Sequence, residues 1–266
     1  MGRTRDGVGR LIKSFTLDKG PGPRGDTIVS VPHLHGLQPL IVGEVEPESP
    51  IATSGIKVFK IRVADREGRR RSASFLVQRR YAWRGYQIDP SPGVRPNGVT
   101  LSAYDGDDVV ATISVGLDSA SGMFVDALFA NEIDSFRLPG KRICEFTKLA
   151  VDETLRSKQV LAAIFHIAYV YARRVHACSD LFVEVNPRHV RFYERMLGFR
   201  SYGSVRMDPR VDAPAALLHL ELGHAEAEIA KLGGKPDHAA HVRSLYPYFF
   251  SPPEEAAIKA RLGALG

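Results

Sequence analysis

Three consecutive stretches decide the fold: R142-ICEFTKLAVD-152, S157-KQVLAAIFHIAYVYARRVH-176 and L181-FVEVNPRHVRFYERMLGF-199. The first is a short apolar run with a single glutamate, Glu145, and reads as a buried strand. The second is apolar on most of its surface at helical spacing, so it predicts a long, well-buried helix. The third opens as a second buried strand. It then passes through Asn186-Pro187 into a short helix carrying Tyr193 and ending at Leu-Gly-Phe, with Pro187 in the first turn, where its missing N–H costs nothing. The order strand, helix, strand predicts a parallel pair joined by a right-handed crossover.

The same signals continue on both sides. IKVFKIRVAD (56–65) alternates with one slip of frame between Val58 and Ile61 and predicts a strand. Phe75, Leu76, Arg79 and Arg80 recur at helical spacing and predict a helix ending before Gly85. GVTLSAYD and DVVATISVGLD, joined by Asp105-Gly106-Asp107, predict a hairpin. GMFVDALFANEIDSFR reads as a helix. FRSYGSVRMD and APAALLHLEL close the sheet as a second hairpin, and SLYPYFFSPPEEAAIKARL carries aromatics expected to dock on the body or on a partner. Residues 1–55, rich in proline and without helical periodicity, read as an extended or poorly ordered arm, with one possible short strand at Thr27–Val31. The expected organisation is this arm, a folded domain over 56–222 and a helical, aromatic extension over 223–266. The fold class is α/β with mixed connectivity: a mixed central sheet with helices on both faces.

The chain has 266 residues and a formal net charge of +6. It contains no apolar run of membrane-spanning length. MGRTRDGVGRLIKSF lacks a signal peptide's apolar block, so the expected location is cytoplasmic. Cys144 and Cys178 read as buried thiols. The histidines lack accompanying ligands, and no metal is expected. Basic residues cluster at 69–71, 79–80, 141–142, 156 and 158, and 173–174, which suits either a solvated face or an acidic partner. No nucleic-acid motif is present, and no nucleic-acid partner is expected.

Two side chains inside apolar scaffolding have chemistry to offer. A carboxylate on a central strand must meet a cation, a polar cleft or solvent. Glu145 therefore reads either as an ion-pair partner of Lys148 or an arginine, or as a base that strips the proton from an ammonium group. Tyr193 reads either as a packing aromatic or as a phenol donating its proton to a leaving thiolate. Strands 142–151 and 180–186 can splay at their C-terminal ends. The backbone groups so exposed can pair with a peptide-like pantetheine arm. The N-terminus of the intervening helix would then face a phosphate. Asn186 can cap the helix that follows it or touch the donor.

At these residues the chain resembles the N-acetyltransferase (GNAT) superfamily, and NPRHVRFYERMLGF is similar to that superfamily's Asn, Tyr and Leu-Gly-Phe pattern. RICEFTKLAVD, the helix with IFHIAYVYAR and EVNPRHVRFYERMLGF together resemble the long-chain N-acyl amino acid synthases of the FeeM type, which are related to the N-acylhomoserine lactone synthases. The resemblance covers about 56–222. It implies a GNAT-like splayed sheet, Glu145 as the catalytic strand carboxylate and Tyr193 as the general acid. Leu149, Val151, Arg156, Lys158 and Asn186 would contact the acyl donor or its carrier. It further implies that a fatty acyl group moves from acyl carrier protein to an amino acid nitrogen, with the donor's phosphopantetheine in place of any permanently bound cofactor. One departure bears on the donor. Acetyl-CoA enzymes of the superfamily carry Arg/Gln-x-x-Gly-x-Gly/Ala, whereas Arg156-Ser157-Lys158-Gln159-Val160-Leu161 fills both small positions, which hinders approach of a pyrophosphate to the backbone. A carrier protein presents one phosphate and an acidic surface. The competing readings are an acetyl-CoA-dependent acetyltransferase, a homoserine lactone-type signal synthase and a non-catalytic binding module. GMFVDALFANEIDSF and YPYFF supply residues for an acyl pocket or for the core.

Overall fold

The computed structural model describes residues 27–33, 57–64, 67–83, 86, 97–155 and 157–264. Strands β1 (Thr27–His33), β2 (Lys57–Val63), β3 (Gly98–Asp105), β4 (Asp108–Leu117), β5 (Ile143–Val151), β6 (Asp180–Val185), β7 (Arg200–Ser201), β8 (Arg206–Asp208) and β9 (Ala213–Glu221) form a mixed sheet. Its order is β1-β2-β3-β4-β5-β6-β9-β7, with β8 pairing β9. Neighbours run antiparallel except β5 and β6, the parallel pair predicted for 142–186. Helices α1 (Glu67–Ala82) and α2 (Asp126–Asp134) cover one face. On the other lie α3 (Lys158–Tyr169), α5 (Leu222–Leu232) and α6 (Pro252–Gly263), with α4 (Val190–Leu197) contributing Tyr193 and Leu197 to that side.

Strand parity explains which helix sees which residue. Cys144 and Phe146 lie in the large cluster under α3, whereas Ile143 joins Phe182, Leu217, Phe129 and Ile133 under α2. A bulge then interrupts β5. Thr112 opposes Ala150 and Ser114 opposes Thr147, so Lys148 and Leu149 share one partner position, and Lys148 takes φ 52°, a left-handed conformation uncommon for lysine. Beyond the bulge, Ala150 packs under α1 while Leu149 and Val151 pack toward α3.

Several expectations are sharpened. The inward set of β2 is Phe59 and Ile61, in register with Val31 and Val29 of β1, so no slip of frame is needed, and Val58 points outward at 44% exposure. The expected strand near Thr27–Val31 is β1, an edge strand of the sheet, held at its far side where Arg261 of α6 donates to the Ile28 carbonyl (2.6 Å). The long helix keeps α-geometry only to Tyr169 and continues as a π-turn over Val170–Val175. Pro187–His189 is a 3₁₀ turn that leads into α4.

The C-terminal aromatics dock on the body. Tyr246, Phe249 and Phe250 are buried in the same cluster as α3. They are fastened by His166, fully buried on α3. The Phe250 N–H donates to His166 Nδ1 (2.9 Å), which leaves Nε2 to donate to Glu255 (3.0 Å). Burial holds His166 below the ordinary histidine value, against the pull of Glu255. Arg174 donates to the other Glu255 oxygen (2.6 Å).

Candidate active site

The pairing of β5 with β6 runs from Ile143–Asp180 to Phe146–Val183 and stops there, although both strands continue. β5 keeps β4 on its other side, and β6 keeps β9. A split therefore opens in the middle of the sheet, and the backbone edges lining it are unpaired with each other. The splayed sheet expected from the sequence is present.

On the α2 face, Glu145 lies beside the last turns of pairing, opposite Phe182 in register. It is 1% exposed. One oxygen accepts from the Phe124 N–H (2.8 Å) and the other from the Val125 N–H (3.0 Å). These amides belong to the turn that opens α2, where orphan N–H groups and the helix dipole favour a carboxylate. Gly116 of β4 leaves room for it: a Cβ there would stand 2.9 Å from a Glu145 oxygen. The Lys148 ammonium, carried to this face by the bulge, sits 5.5 Å from the centre of the Phe124 ring. Burial lowers its pKa, partly offset by Glu145.

Glu184 follows Phe182 by two residues and opposes Leu217, so it projects from the same face as Glu145, just past the last β5–β6 pair. Its carboxylate accepts from Arg210 Nη2 at 2.8 and 2.7 Å. Arg210 also donates to Asp208 (2.8 Å) and to the Phe124 carbonyl (3.0 Å). One guanidinium thus serves two carboxyl groups. Burial pushes the Glu184 pKa up, Arg210 pulls it down, and neighbouring Asp208 raises it again, leaving it at about 7. Asp208 is held below the ordinary carboxylate range, because the hydrogen bonds from Arg210 outweigh its burial.

Tyr193 lies on the opposite side of the sheet. It is 7% exposed, and its ring meets Phe165 of α3 and Phe199 edge-on. Burial, with Tyr81 nearby, raises its phenol pKa well above the ordinary value and keeps it protonated. The structure therefore sets Glu145 and Tyr193 on opposite faces, with the split between them. Under Phe146, a cavity of about 20 Å³ is lined by Phe165, Tyr169, Tyr246 and Phe249 among others. This is room for about one water.

The expected donor residues that are described lie on β5 past the end of its pairing with β6, at the start of α3 and at the end of β6. Leu149 and Val151 are half-buried against the α3 cluster. Ser157 caps α3 by accepting from the Val160 N–H (3.3 Å), and half-buried Lys158 is the helix's first residue. Arg156 lies outside the described residues. Asn186 accepts from the Arg188 N–H (3.2 Å) and donates to the Pro214 carbonyl (3.3 Å), so it caps the turn into α4 and ties it to β9. Of the basic clusters, Arg79 and Arg80 pair with Asp152 and Glu153 after β5, and Arg173 and Arg174 pair with Glu226. Among the described residues no group of three His, Cys, Asp or Glu side chains is placed to hold a metal, and no helix is long and apolar enough to cross a membrane.

Sequence reasoning missed Glu184, Asp208 and Arg210. The one available signal was a glutamate inside the otherwise apolar run LFVEV, the same signal that marked Glu145.

Comparison with known proteins adds a family and a set of solved structures. The family described as N-acyl amino acid synthase FeeM matches residues 72–221. The solved structure of FeeM, an N-acyl amino acid synthase from uncultured soil microbes, is 27% identical, with 64% of this chain and 95% of that chain covered and a TM-score of 0.60. The AHL synthase LasI shows 10% identity over 62% of this chain and 91% of its own, with a TM-score of 0.46. An acyl-CoA N-acyltransferase from Pseudomonas aeruginosa shows 11% identity over 60% and 97%, with a TM-score of 0.44. No curated protein sequence matches.

Proposed function

Because this chain belongs to the FeeM family of N-acyl amino acid synthases, and is thus an N-acyltransferase, we propose that it moves a long-chain acyl group from an acyl carrier protein thioester to the amino group of an amino acid. The observation that carries this reading is the end of β5–β6 pairing at Phe146–Val183. A pantetheine arm laid in the split can hydrogen-bond to the freed strand edges as an added strand would. Its thioester then lies between a face bearing carboxylates and a face bearing the Tyr193 phenol.

The reaction needs two proton movements. The acceptor arrives as an ammonium and must lose a proton before its nitrogen can attack. A carboxylate on the α2 face takes that proton and passes it to solvent. Attack on the thioester carbon forms the C–N bond. The nitrogen gives up its second proton as the C–S bond breaks, and the sulfur leaves as a thiol. Tyr193, kept protonated by burial, supplies a hydrogen bond or proton to the departing sulfur.

The choice of donor rests on the start of α3. Gln159 and Leu161 stand where small residues would let a pyrophosphate approach the backbone, and Leu161 is buried at 6%. A carrier's single phosphate makes no such demand, and Lys158 offers it a cation. The acyl chain's path runs past Leu149 and Val151 toward the cavity under Phe146. A long chain enters only if Phe165, Tyr246 and Phe249 turn aside.

The test is a comparison of donors. Purified protein is incubated with hexadecanoyl-acyl carrier protein or acetyl-CoA and a mixture of the twenty amino acids, and products are read by mass spectrometry. The expected result is N-hexadecanoyl amino acid from the carrier-bound donor alone. Equal turnover of acetyl-CoA overturns the donor assignment.

A further inference from the structure

We propose that Glu184, held with Asp208 on the single guanidinium of Arg210 at the mouth of the split, is the base that deprotonates the acceptor's ammonium, and that Glu145 is a positioning residue for the turn that walls the acceptor site. This deepens the acyl-transfer reading and rests on it.

The two carboxylates share a face and sit on adjacent strands, but their surroundings differ. Glu145 is 1% exposed, with each oxygen engaged by a backbone N–H. At 1% exposure an ammonium could reach it only if the turn that opens α2 moved away, which would strand two buried donors. Glu184 has an 18% exposed side chain and is the first residue of β6 beyond its pairing with β5. It is held by a side chain on a surface turn and not by the backbone.

The charge balance points the same way. The charged groups that act on Glu184 are Asp208 and Arg210, from β8 and the turn after it; Glu145 lies on the same face of neighbouring β5, with Lys148 beside it. Arg210 carries one positive charge between two carboxyl groups that are within hydrogen-bonding reach of each other. When both are ionised, the pair has one uncompensated negative charge and room for one proton. A base tuned to about 7 is matched to neutral pH: ionised often enough to act, and basic enough to accept. In the step, the ammonium N–H bond breaks and its proton goes to a Glu184 oxygen. The freed lone pair attacks the thioester carbon, and Glu184 returns the proton to solvent through its exposed edge.

The geometry gives Glu145 a different task. By gripping the Phe124 and Val125 amides it sets the turn whose carbonyl Arg210 grips from the other side. Arg210, and through it Glu184, is thereby placed against a fixed backbone.

The experiment measures the pH dependence of kcat/KM with hexadecanoyl-acyl carrier protein and the amino acid that the wild-type protein acylates best. The expected wild-type profile rises with pH through about 7, because the base acts when ionised. Glu184→Gln should lower kcat by roughly 10²- to 10⁴-fold and abolish that limb. Asp208→Asn keeps an oxygen for Arg210 but removes the neighbouring negative charge, so the limb should move to lower pH. Glu145→Gln should lower the rate while the limb stays in place. In parallel, ¹³C NMR of the carboxyl groups in the ligand-free protein should show one glutamate titrating near 7, absent in Glu184→Gln. If the wild type acylates no amino acid, the parent reading fails before any variant is made, and the base assignment falls with it. If the wild type turns over and Glu184→Gln matches it, or Asp208→Asn leaves the limb unmoved, or every glutamate titrates in the ordinary range, the base assignment alone is overturned.

Discussion

Replacing Glu145 by glutamine separates a structural tie from a chemical one. The native side chain accepts one backbone N–H on each oxygen, at 2.8 and 3.0 Å, inside the protein. Glutamine has nearly the same shape but only one acceptor. Whichever way its amide turns, one native bond is kept and the other is replaced by an NH₂ facing an N–H. The loss of a hydrogen bond to a carboxylate, with a buried donor left unsatisfied, costs about 3 kcal/mol. For a chain of this size that corresponds to a fall in Tm of about 6–12 °C. Thermal unfolding followed by near-UV circular dichroism measures it. Gly116→Ala is an orthogonal probe of the same contact, because its Cβ would stand 2.9 Å from the pinned oxygen and 3.1 Å from Cγ of Glu145. Such overpacking costs about 1–3 kcal/mol. A Glu145→Gln protein that melts within a degree of the wild type would refute the reasoning, since its two anchoring bonds would then contribute nothing.

Three further outcomes are expected. Tyr193→Phe should lower kcat by roughly 10²-fold with little change in Tm. The deficit should shrink with donors whose thiol is more acidic, and a uniform deficit across donors would argue against a role at the sulfur. His166 is held below its unfolded value, so the unfolded chain binds more protons between the two. Stability should therefore fall as pH drops below the ordinary histidine value of 6.5. His166→Gln should flatten that part of the Tm–pH curve, and an unchanged slope would contradict the assignment. Lys158→Glu should raise KM for an acyl carrier protein donor several-fold with kcat nearly unchanged. The effect should fade at high ionic strength; steady-state kinetics at two salt concentrations decide it.

The scaffold was largely readable because burial leaves a periodic trace. β5, α3 and β6 announce themselves by apolar runs of the right length, and the hairpin of β3 and β4 by Asp105-Gly106-Asp107. The site was harder for specific reasons. Both faces of β5 are covered, so Cys144, Glu145 and Phe146 are all buried, and alternation alone does not say which side α4 will take. The sequence therefore does not show that Tyr193 and Glu145 take opposite faces, with the split between them. The bulge at Lys148 has no glycine or proline to mark it. Glu184 and Arg210 stand 26 residues apart and meet only because β9 returns beside β6. No local pattern encodes that meeting.

The hold of α6 on β1 has a practical corollary. Residues 72–221 are what the family shares, yet Tyr246, Phe249 and Phe250 fill the floor beneath α3, and Arg261 grips the outermost strand at Ile28. A fragment trimmed to the shared segment would lose two strands from one margin and uncover greasy surface under its main helix. Anyone preparing this enzyme for crystals or screening should keep β1, β2 and the stretch from Tyr246 through α6, because these close over a centre that the middle cannot seal by itself.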